Sequence, residues 1–487
     1  MELSEFPVLN SNGIDYALDL KQRILNFYFC LARENPYESV EKPLSSLLFE
    51  LKTNIRRDGV DCSETSFYFL RVLYLMIGHT RDIYIGRGER DLAYHMIYVW
   101  YQFFPVLAIY AFHQFFSGGG GEGGEGGMEE PMYGSVKDLV YFPDYIRGFS
   151  IRGFSLIDIC VKRINRQIRA DPESILHWIP SEGSSKGWIF HLMALDWHGV
   201  DFLKNISLRF MNKICMNFRK QISSYNQFYS VREKWGDVPG IERRGVFCKN
   251  KDLGKYVKLI ASSQKICGKS SSLKKSILWI NQKWSNILAE YQFFRMSPTV
   301  PLVDISIEMS DSELYSAIGI ACFIAYKSGI HRVLLMSHIP IWIVMDNSMD
   351  FISSVLKILS ECKDRTMCNY LSSISMVHRS QILSNFDVSI LILSNFHFLK
   401  RKFRMNPIYK NVRLLFWNIG SSYQNLLPFY DPDILMISGT SLSVVRFMDS
   451  LYYSKCDSYD FLCKIMDDRR FHKLSTYFNL FLDSYSK

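Results

Sequence analysis

The chain has 487 residues and a formal net charge of +9, and 48% of its residues are hydrophobic, 22% charged and 15% aromatic. This balance excludes a globally disordered protein, because disordered chains lack the apolar and aromatic residues that fill a core. The length exceeds what one hydrophobic core normally organises, so we expect two domains.

The 11 cysteines are scattered, form no CxxC pair and have no histidine cluster beside them in the sequence. This pattern argues against a structural zinc site and is typical of a reducing compartment, so we expect a cytoplasmic protein. The opening stretch MELSEFPVLN lacks the basic and apolar regions of a secretory signal peptide.

Residues 1–117 show apolar side chains at spacings of three and four, which predicts helices. One uncharged stretch, from Met96 to Phe116, is long enough to cross a bilayer. Pro105 divides this stretch, and Gln102 and His113 lie inside it. We therefore predict two short buried helices and no membrane insertion.

A run of glycine and glutamate, residues 118–127, has almost no side chains to bury. It predicts a flexible surface insertion between two helices. Helical patterns continue over residues 150–295, with breaks at WIPSEGSSKG and WGDVPG. A succession of short amphipathic helices of this length predicts a stacked, HEAT-like array.

Positive charge is concentrated in the middle of the chain, where 25 Lys/Arg and 10 Asp/Glu lie between Arg147 and Lys283. This excess favours a polyanionic partner, most simply RNA, although a solvated lysine-rich helical surface explains it equally well. Phe228, Tyr229 and Trp235 lie near part of this charge and are able to stack on bases. The candidate nucleic-acid-binding residues are Lys162, Arg163, Arg166, Arg169, Arg219, Lys220, Arg243 and Arg244.

Polar residues also form short islands between apolar helical segments. These are Arg81, Asp82, Glu89, Arg90, Trp178, Glu182 and Lys186. We interpret them as structural, because arginine joins carboxylates across helix junctions through its five donors. The alternative is that Arg81, Arg87 and Arg90 line an RNA-facing surface.

After Met296 short apolar runs alternate with helical stretches, for example Ser312–Lys327 and Ser441–Tyr453. We predict strands at VPLVDIS, RVLLMS, IPIWIVM, VSILILS, VRLLFWN and DILMISG. Apolar strands alternating with helices predict a mostly parallel, doubly wound sheet. The sequence VMDNSMDF, after the third strand, predicts a loop and a helix cap.

Polar side chains stand where these strands end, which is where such folds place their sites. Asp304 and Ser306 supply the carboxylate and hydroxyl oxygens that magnesium prefers. This loop resembles the metal-ion-dependent adhesion site of von Willebrand factor A domains, and residues 299–455 resemble that domain in strand order and loop positions. The resemblance implies Asp304, Ser306 and Thr366 as metal ligands. Glu308 replaces an expected Ser and Asn395 an expected Asp, so the implied site is degenerate. We expect no cofactor, and bound magnesium is the alternative.

Four further segments resemble domain-of-unknown-function family 2828 of plants, fungi and giant viruses. They are HTRDIYIGRGERDLAYHM, YGSVKDL, WIPSEGSSKG and FRKQISSYNQFYSVREKWGDV. The resemblance covers residues 65–455. It implies an all-helical domain, residues 1–295, similar to the TROVE ring of the Ro RNA-binding proteins, and a von Willebrand A-like domain, residues 296–487.

The sequence contains no GxxxxGK[ST] loop and no HExxH motif, so we expect no enzyme and no small-molecule substrate. The leading hypothesis is a non-enzymatic RNA- or ribonucleoprotein-associated scaffold that binds protein through its von Willebrand A-like domain. The alternative is a structural or protein-interaction component, such as one of a giant-virus particle. A third hypothesis is metal-dependent adhesion.

Overall fold

The computed structural model describes residues 11–31, 37–57, 60–116, 133–135, 137–149, 153–170, 179–180, 183–198, 253–265, 271–294, 296–345, 350–362, 365, 367–380, 388–395, 414–420, 434–448 and 457–485. The predicted glycine–glutamate insertion, residues 118–127, lies outside these residues.

The chain divides into two compact units. Unit 1 comprises residues 1–87 and 248–476, and unit 2 comprises residues 88–247 and 477–487. The division differs from the boundary predicted at residue 295, because the first 87 residues pack with segments from the C-terminal half of the chain.

Unit 1 begins with three helices, α1 (Ser11–Cys30), α2 (Tyr37–Arg57) and α3 (Val60–Arg81). The α3 face carrying Tyr68 is buried, and its hydroxyl lies 3.4 Å from the Cys463 thiol. This pairing shows directly that the N-terminal helices pack against the C-terminal segment, 395 residues further along the chain.

The second part of unit 1 starts with two helices, α9 (Gly254–Lys265) and α10 (Ser271–Glu290). Its sheet region runs through β1 (Thr299–Asp304), α11 (Asp311–Lys327), β2 (Arg332–Met336), β3 (Ile341–Val344), α12 (Phe351–Glu361), α13 (Tyr370–Arg379), β4 (Ser389–Ser394), β5 (Leu414–Asn418) and β6 (Ile434–Ser438). It ends with a 3-10 helix (Leu442–Phe447), α14 (Ser458–Met466), a second 3-10 helix (Arg469–Phe471) and the start of α15 (His472–Tyr485).

The six strands form one sheet in the order β3-β2-β1-β4-β5-β6. Only β3 is antiparallel to its neighbour, and the other adjacent pairs are parallel. All described residues of β1, β4 and β5 are buried, which explains why these strands read as unbroken apolar runs. The order reverses between β1 and β4, because the chain leaves β1 towards β2 and later returns to the other side of β1.

Helix α11 follows β1 and packs against the sheet. A capping box fixes its start, since the Ser310 side chain accepts from the Glu313 backbone N–H and Glu313 accepts from that of Ser310. Gly319 on this helix permits a close approach of Leu253, whose Cβ would lie 2.5 Å from a Cβ at residue 319. A small residue is therefore needed where α11 meets the start of α9.

Unit 2 contains α4 (Arg90–Phe103), α5 (Pro105–His113), α6 (Asp138–Ile146), α7 (Gly153–Ala170) and α8 (Gly187–His198). Pro105 occupies the first position of α5, where its missing N–H costs no helical hydrogen bond. The uncharged stretch is therefore two helices, as predicted. Among the described residues, no helix has the length and apolar character that a bilayer crossing requires.

The predicted class, helices followed by a mixed α/β sheet, is confirmed, and all six predicted strands are present. Asp350 caps α12 by accepting from the Ser353 N–H at 2.8 Å, which also confirms the predicted cap. Within the predicted helix Ser441–Tyr453, the described part is the 3-10 helix Leu442–Phe447. A HEAT- or TROVE-like arrangement and a von Willebrand A identity stay predictions.

Candidate functional site

The strand-end site lies at the carboxyl ends of β1 and β4, where the strand order reverses. In open α/β sheets, this switch point leaves a crevice in which ligands bind. Asp304 is the last residue of β1, and Ser394 is the last residue of β4. Both side chains are buried, so hydrogen bonds rather than solvent must satisfy their polar atoms.

The Asp304 carboxylate accepts three hydrogen bonds from inside the protein. The Tyr370 hydroxyl donates to Oδ2 at 2.5 Å, and the Ser394 hydroxyl donates to the same oxygen at 2.6 Å. The Ser306 N–H donates to Oδ1 at 2.9 Å. The carboxylate is therefore held by neutral donors from three separate elements of unit 1.

Tyr370 remains a hydrogen-bond donor at neutral pH. Burial raises the pKa of its hydroxyl well above the usual value, and the Asp304 carboxylate raises that pKa further. Burial likewise raises the pKa of the half-buried Cys368 thiol, again with a contribution from Asp304. Cys368 therefore lacks the thiolate character of a nucleophile.

The two positions that depart from the adhesion-site pattern are linked by a hydrogen bond. Asn395 Nδ2 donates to the Glu308 backbone carbonyl at 2.8 Å and approaches Glu313 Oε2 at 3.4 Å. The Glu308 residue is exposed, whereas Asn395 is buried. Asn395 thus ties the loop after β1 to the end of β4 through an amide donor, which the expected Asp could not supply.

A row of buried polar residues continues across the sheet from this site. Ser394 pairs with Asn418, and Asn418 pairs with Ser438, at the ends of adjacent strands. Asn418 Oδ1 accepts from the Gly420 N–H at 3.0 Å. Among the described residues, Asn418 Nδ2 and the Ser438 hydroxyl have no hydrogen-bond partner. The sequence predicted polar strand ends, and the register places them side by side.

The donor set around Asp304 does not fit a divalent cation. Such an ion requires oxygen lone pairs directed at it, in a near-octahedral shell for magnesium. Here two hydroxyl donors already engage Oδ2 and a backbone N–H engages Oδ1. Of the predicted ligands, the Ser306 hydroxyl is buried without a partner among the described residues, and Thr366 lies outside them.

The predicted RNA-binding residues are only partly within the described structure. Lys162, Arg163 and Arg166 lie on α7, and Arg169 occupies the same helix near its end. The exposed Lys162 pairs with Asp158 at 2.8 Å, whereas Arg163 lies 5.9 Å from the centre of the Phe116 ring. The positions outside the described residues are Arg219, Lys220, Arg243 and Arg244, together with the aromatics Phe228, Tyr229 and Trp235.

Arg163 and Arg166 also affect the pKa of His113. Burial lowers the pKa of His113, and the positive charges of these two arginines lower it further. Two residues that the sequence singled out, Arg163 and Arg166, therefore contribute positive charge to this part of unit 2.

A second cationic surface, on α9 and α10 of unit 1, was not singled out from the sequence. These two helices contain six lysines and one glutamate, Glu290, which pairs with Arg446 at 2.6 Å. Trp279 is 45% exposed, and its neighbours Leu278 and Leu259 are 70% and 50% exposed. The sequence signal that could have identified this surface was the presence of lysines beside large apolar residues on two successive helices.

Ring contacts join the two helices at this surface. Tyr256 of α9 meets the Trp279 ring edge-on at 5.6 Å, and Lys283 Nζ lies 5.9 Å from the centre of the Trp279 ring. Lys255 and Lys258 are exposed on α9 beside Tyr256. We call the residues Lys255, Lys258, Leu259, Leu278, Trp279 and Lys283 the tryptophan surface.

The polar residues that we predicted to be structural make several different kinds of contact. Asp82 is fully buried and accepts from Arg470 Nε, so its ion-pair partner comes from the end of the chain. Arg81 is also buried, at 5% exposure, which excludes it from an RNA-facing surface in this conformation. Arg87 donates to the backbone carbonyls of Leu31 and Tyr28 at 2.6 and 2.9 Å, so it serves the end of α1.

The remaining island residues belong to unit 2. Arg90 and Lys186 both lie over the Tyr141 ring, at 4.8 and 3.7 Å from its centre, and Lys186 also pairs with Asp144 at 3.1 Å. Both cations thus contact the same aromatic ring within unit 2. Glu89 precedes α4 and makes no side-chain cap. Trp178 and Glu182 lie outside the described residues.

No protein-family model matches the chain, and no curated protein matches it in a sequence comparison.

Proposed function

We propose that this protein is a non-enzymatic scaffold that binds single-stranded RNA or another polyanion. The tryptophan surface is the observation that carries the proposal. It combines lysines, which neutralise phosphates, with an exposed indole, on which a base stacks. The uneven charge of the chain between Arg147 and Lys283 supports the same conclusion.

The exposed leucines of the tryptophan surface are compatible with RNA binding. Leu259 is on α9 with Tyr256, Leu278 precedes Trp279 on α10, and both leucines are exposed, so they offer apolar contact to sugar and base faces. Single-strand binding without sequence preference requires a cationic track and a stacking platform, and both are present on α9 and α10. RNA with unstacked bases is therefore the expected ligand, rather than duplex RNA.

The test is fluorescence anisotropy with a labelled uridine oligonucleotide and the full chain. Binding should weaken steeply as salt rises, with a slope of about 0.7 per neutralised phosphate. Trp279→Ala should weaken binding roughly tenfold through lost stacking. The double variant Lys255→Glu/Lys258→Glu should weaken binding and lower the salt slope by about 1.4.

Lys42→Glu is the control for charge reversal outside the tryptophan surface, because this exposed lysine lies on α2 rather than on α9 or α10. It should bind nearly as well as the wild type. Absence of binding, or binding that is flat in salt, would contradict the proposed function. Equal affinities for the wild type and Trp279→Ala would exclude the tryptophan surface as the binding site.

The second part of the proposal is that the sheet of unit 1, a von Willebrand A-like domain of the family suggested by sequence, docks a protein partner. The edge strand β3 supports it. Ile339 before the strand is 72% exposed, and Val344 at its end is 51% exposed. Apolar side chains at a sheet edge favour the addition of a partner strand.

A photocrosslinking amino acid at position 344, compared with one at position 376 on α13, tests this docking. Met376 is also exposed, at 36%, but lies on a helix. A specific partner should crosslink at position 344 and not at position 376. Equal crosslinking at both positions, or none, would contradict docking through the strand edge.

A further inference from the structure

The strand-end site suggests a reason for its departure from a cation-binding pattern. Asp304 is the single carboxylate among the three predicted ligands, so a cation there would depend on it most. Its Oδ2 accepts from two hydroxyls, Tyr370 at 2.5 Å and Ser394 at 2.6 Å. Direct magnesium coordination would need a lone pair of the same carboxylate at about 2.0–2.1 Å.

Tyr370 is held in this position by the start of its helix. Asn369 caps α13 by accepting from the Ser372 N–H at 3.0 Å. The Asn369 N–H in turn donates to the Ser337 carbonyl at 3.2 Å, immediately after β2. The tyrosine is thus the first residue of a helix that is anchored to the neighbouring strand end, and its hydroxyl reaches the end of β1.

We propose that the Tyr370 hydroxyl takes the place of a divalent cation as the partner of Asp304, which makes the strand-end site independent of metal. Tyr370 supplies a fixed donor where an ion would supply charge. Asn395 is a second neutral group at this site. It stands where the adhesion-site pattern has an acidic residue, and its amide donates to the Glu308 carbonyl. The loop after β1 is then held without an ion.

Besides Asp304, the Ser306 hydroxyl is the other described oxygen that the D-x-S spacing offers to an ion. It is buried at 2% exposure and has no partner among the described residues. The D-x-S spacing provides such a hydroxyl for an ion, yet the neighbouring carboxylate is engaged by Tyr370. The described oxygens left to an ion are therefore the Ser306 hydroxyl and one lone pair of Asp304 Oδ1, which is too small a ligand set for magnesium or calcium.

The experiment is a Mn²⁺ titration followed by electron paramagnetic resonance, in which bound ion loses its free-ion signal. It compares the wild type, Asp304→Asn, Tyr370→Ser and Tyr370→Ser/Asp304→Asn. The wild type should leave the free-ion signal unchanged. Tyr370→Ser should lose the free-ion signal, with an affinity at least roughly tenfold above any residual binding by the other proteins, because it frees one lone pair of Oδ2 and leaves room for an ion.

Tyr326→Ser serves as a matched control, since Tyr326 is 45% exposed and lies on α11. It should behave as the wild type does. Stoichiometric binding by the wild type that Asp304→Asn abolishes would overturn the proposal. A folded Tyr370→Ser variant without any gain in affinity would also overturn it.

A second measurement does not depend on the folding of the tyrosine variant. Thermal unfolding of the wild type should be unchanged by Mg²⁺, because an ion that does not bind the native state cannot stabilise it. A Mg²⁺-dependent rise in melting temperature that Asp304→Asn removes would overturn the proposal. RNA binding by the tryptophan surface is a separate readout, so either proposal can fail alone.

Discussion

Arg470 donates from its Nε to the carboxylate of Asp82, 388 residues earlier in the chain. The Asp82 side chain is completely buried, and the Arg470 side chain is 12% exposed. The carboxylate also accepts from the Tyr84 N–H at 3.0 Å. One ion pair therefore fastens the end of α3 to the short 3-10 helix near the C-terminus of unit 1.

Removal of Arg470 should destabilise the native protein strongly. Arg470→Met leaves the buried Asp82 carboxylate without its charged partner, at an expected cost of about 3–5 kcal/mol in the free energy of unfolding. Arg469→Met, at the exposed neighbouring position, should cost little. Urea unfolding measures both variants, and similar losses for the two would contradict a specific role of the ion pair.

A second variant distinguishes the loss of the Asp82–Arg470 ion pair from a general loss of packing. Asp82→Asn in the Arg470→Met background removes the unpaired charge and should recover part of the lost stability. If the double variant is no more stable than Arg470→Met, the buried charge is not the cause of the loss.

Gly319→Ala should destabilise unit 1 by about 1–3 kcal/mol, because the new Cβ would overpack the contact with Leu253. The atoms that collide are a Cβ at residue 319 and the Leu253 Cβ, at 2.5 Å. The helix propensity of alanine opposes this loss by about 1 kcal/mol and does not cancel it at such a distance. Chemical denaturation gives the difference directly.

The same substitution at an uncrowded glycine is the appropriate comparison. Gly148 has open space where its Cβ would lie, so Gly148→Ala should be tolerated. A neutral Gly319→Ala would show that α9 and α11 separate easily at this point, contrary to the close approach described here.

His79 should make the stability of unit 1 depend on pH. Burial lowers the pKa of His79 to about 3, with a contribution from the Arg87 charge, whereas the unfolded chain has the ordinary value of 6.5. Between these values the unfolded state binds the additional proton. The stability contributed by neutral His79 is therefore complete above pH 6.5 and declines as pH falls towards 3.

At pH 5 this single group should cost about 2 kcal/mol of unfolding free energy relative to pH 7. His79→Phe keeps an aromatic ring between Tyr28 and Phe471 and removes the titrating group. The stability difference between the two proteins should therefore shift with pH across this range. A difference that stays constant from pH 7 to pH 5 would contradict the prediction.

Tyr94→Phe should destabilise unit 2 by about 1–3 kcal/mol. The Tyr94 hydroxyl donates to the buried Asp138 carboxylate, which also accepts from the Ser135 N–H at 2.8 Å. Loss of the hydroxyl weakens the hydrogen bonding of a buried carboxylate. Tyr141→Phe is the control, because it keeps the ring that Arg90 and Lys186 contact. Equal effects of the two substitutions would contradict the special role of Tyr94.

The sequence alone determined the local elements and the class of the fold. Apolar runs too short for helices predicted β1 to β6, because strands buried on both faces need apolar residues at every position. Pro105 predicted the break between α4 and α5 through its fixed backbone and missing N–H. Asp304 was also predicted to stand at a strand end. Such features depend on neighbours within a few residues, which a sequence displays directly.

Only the tertiary structure decided which distant residues meet. Tyr370 at Asp304 and Arg470 at Asp82 come from segments that no local pattern connects. Tyr370 is followed by an ordinary helical pattern, so nothing in its neighbourhood marks it as the partner of a strand-end carboxylate. The physical reason is that burial makes each carboxylate require a donor, while strand order and helix packing determine which donor is within reach. The sequence therefore shows which carboxylates require a hydrogen-bond donor, and the tertiary structure determines which residue is that donor.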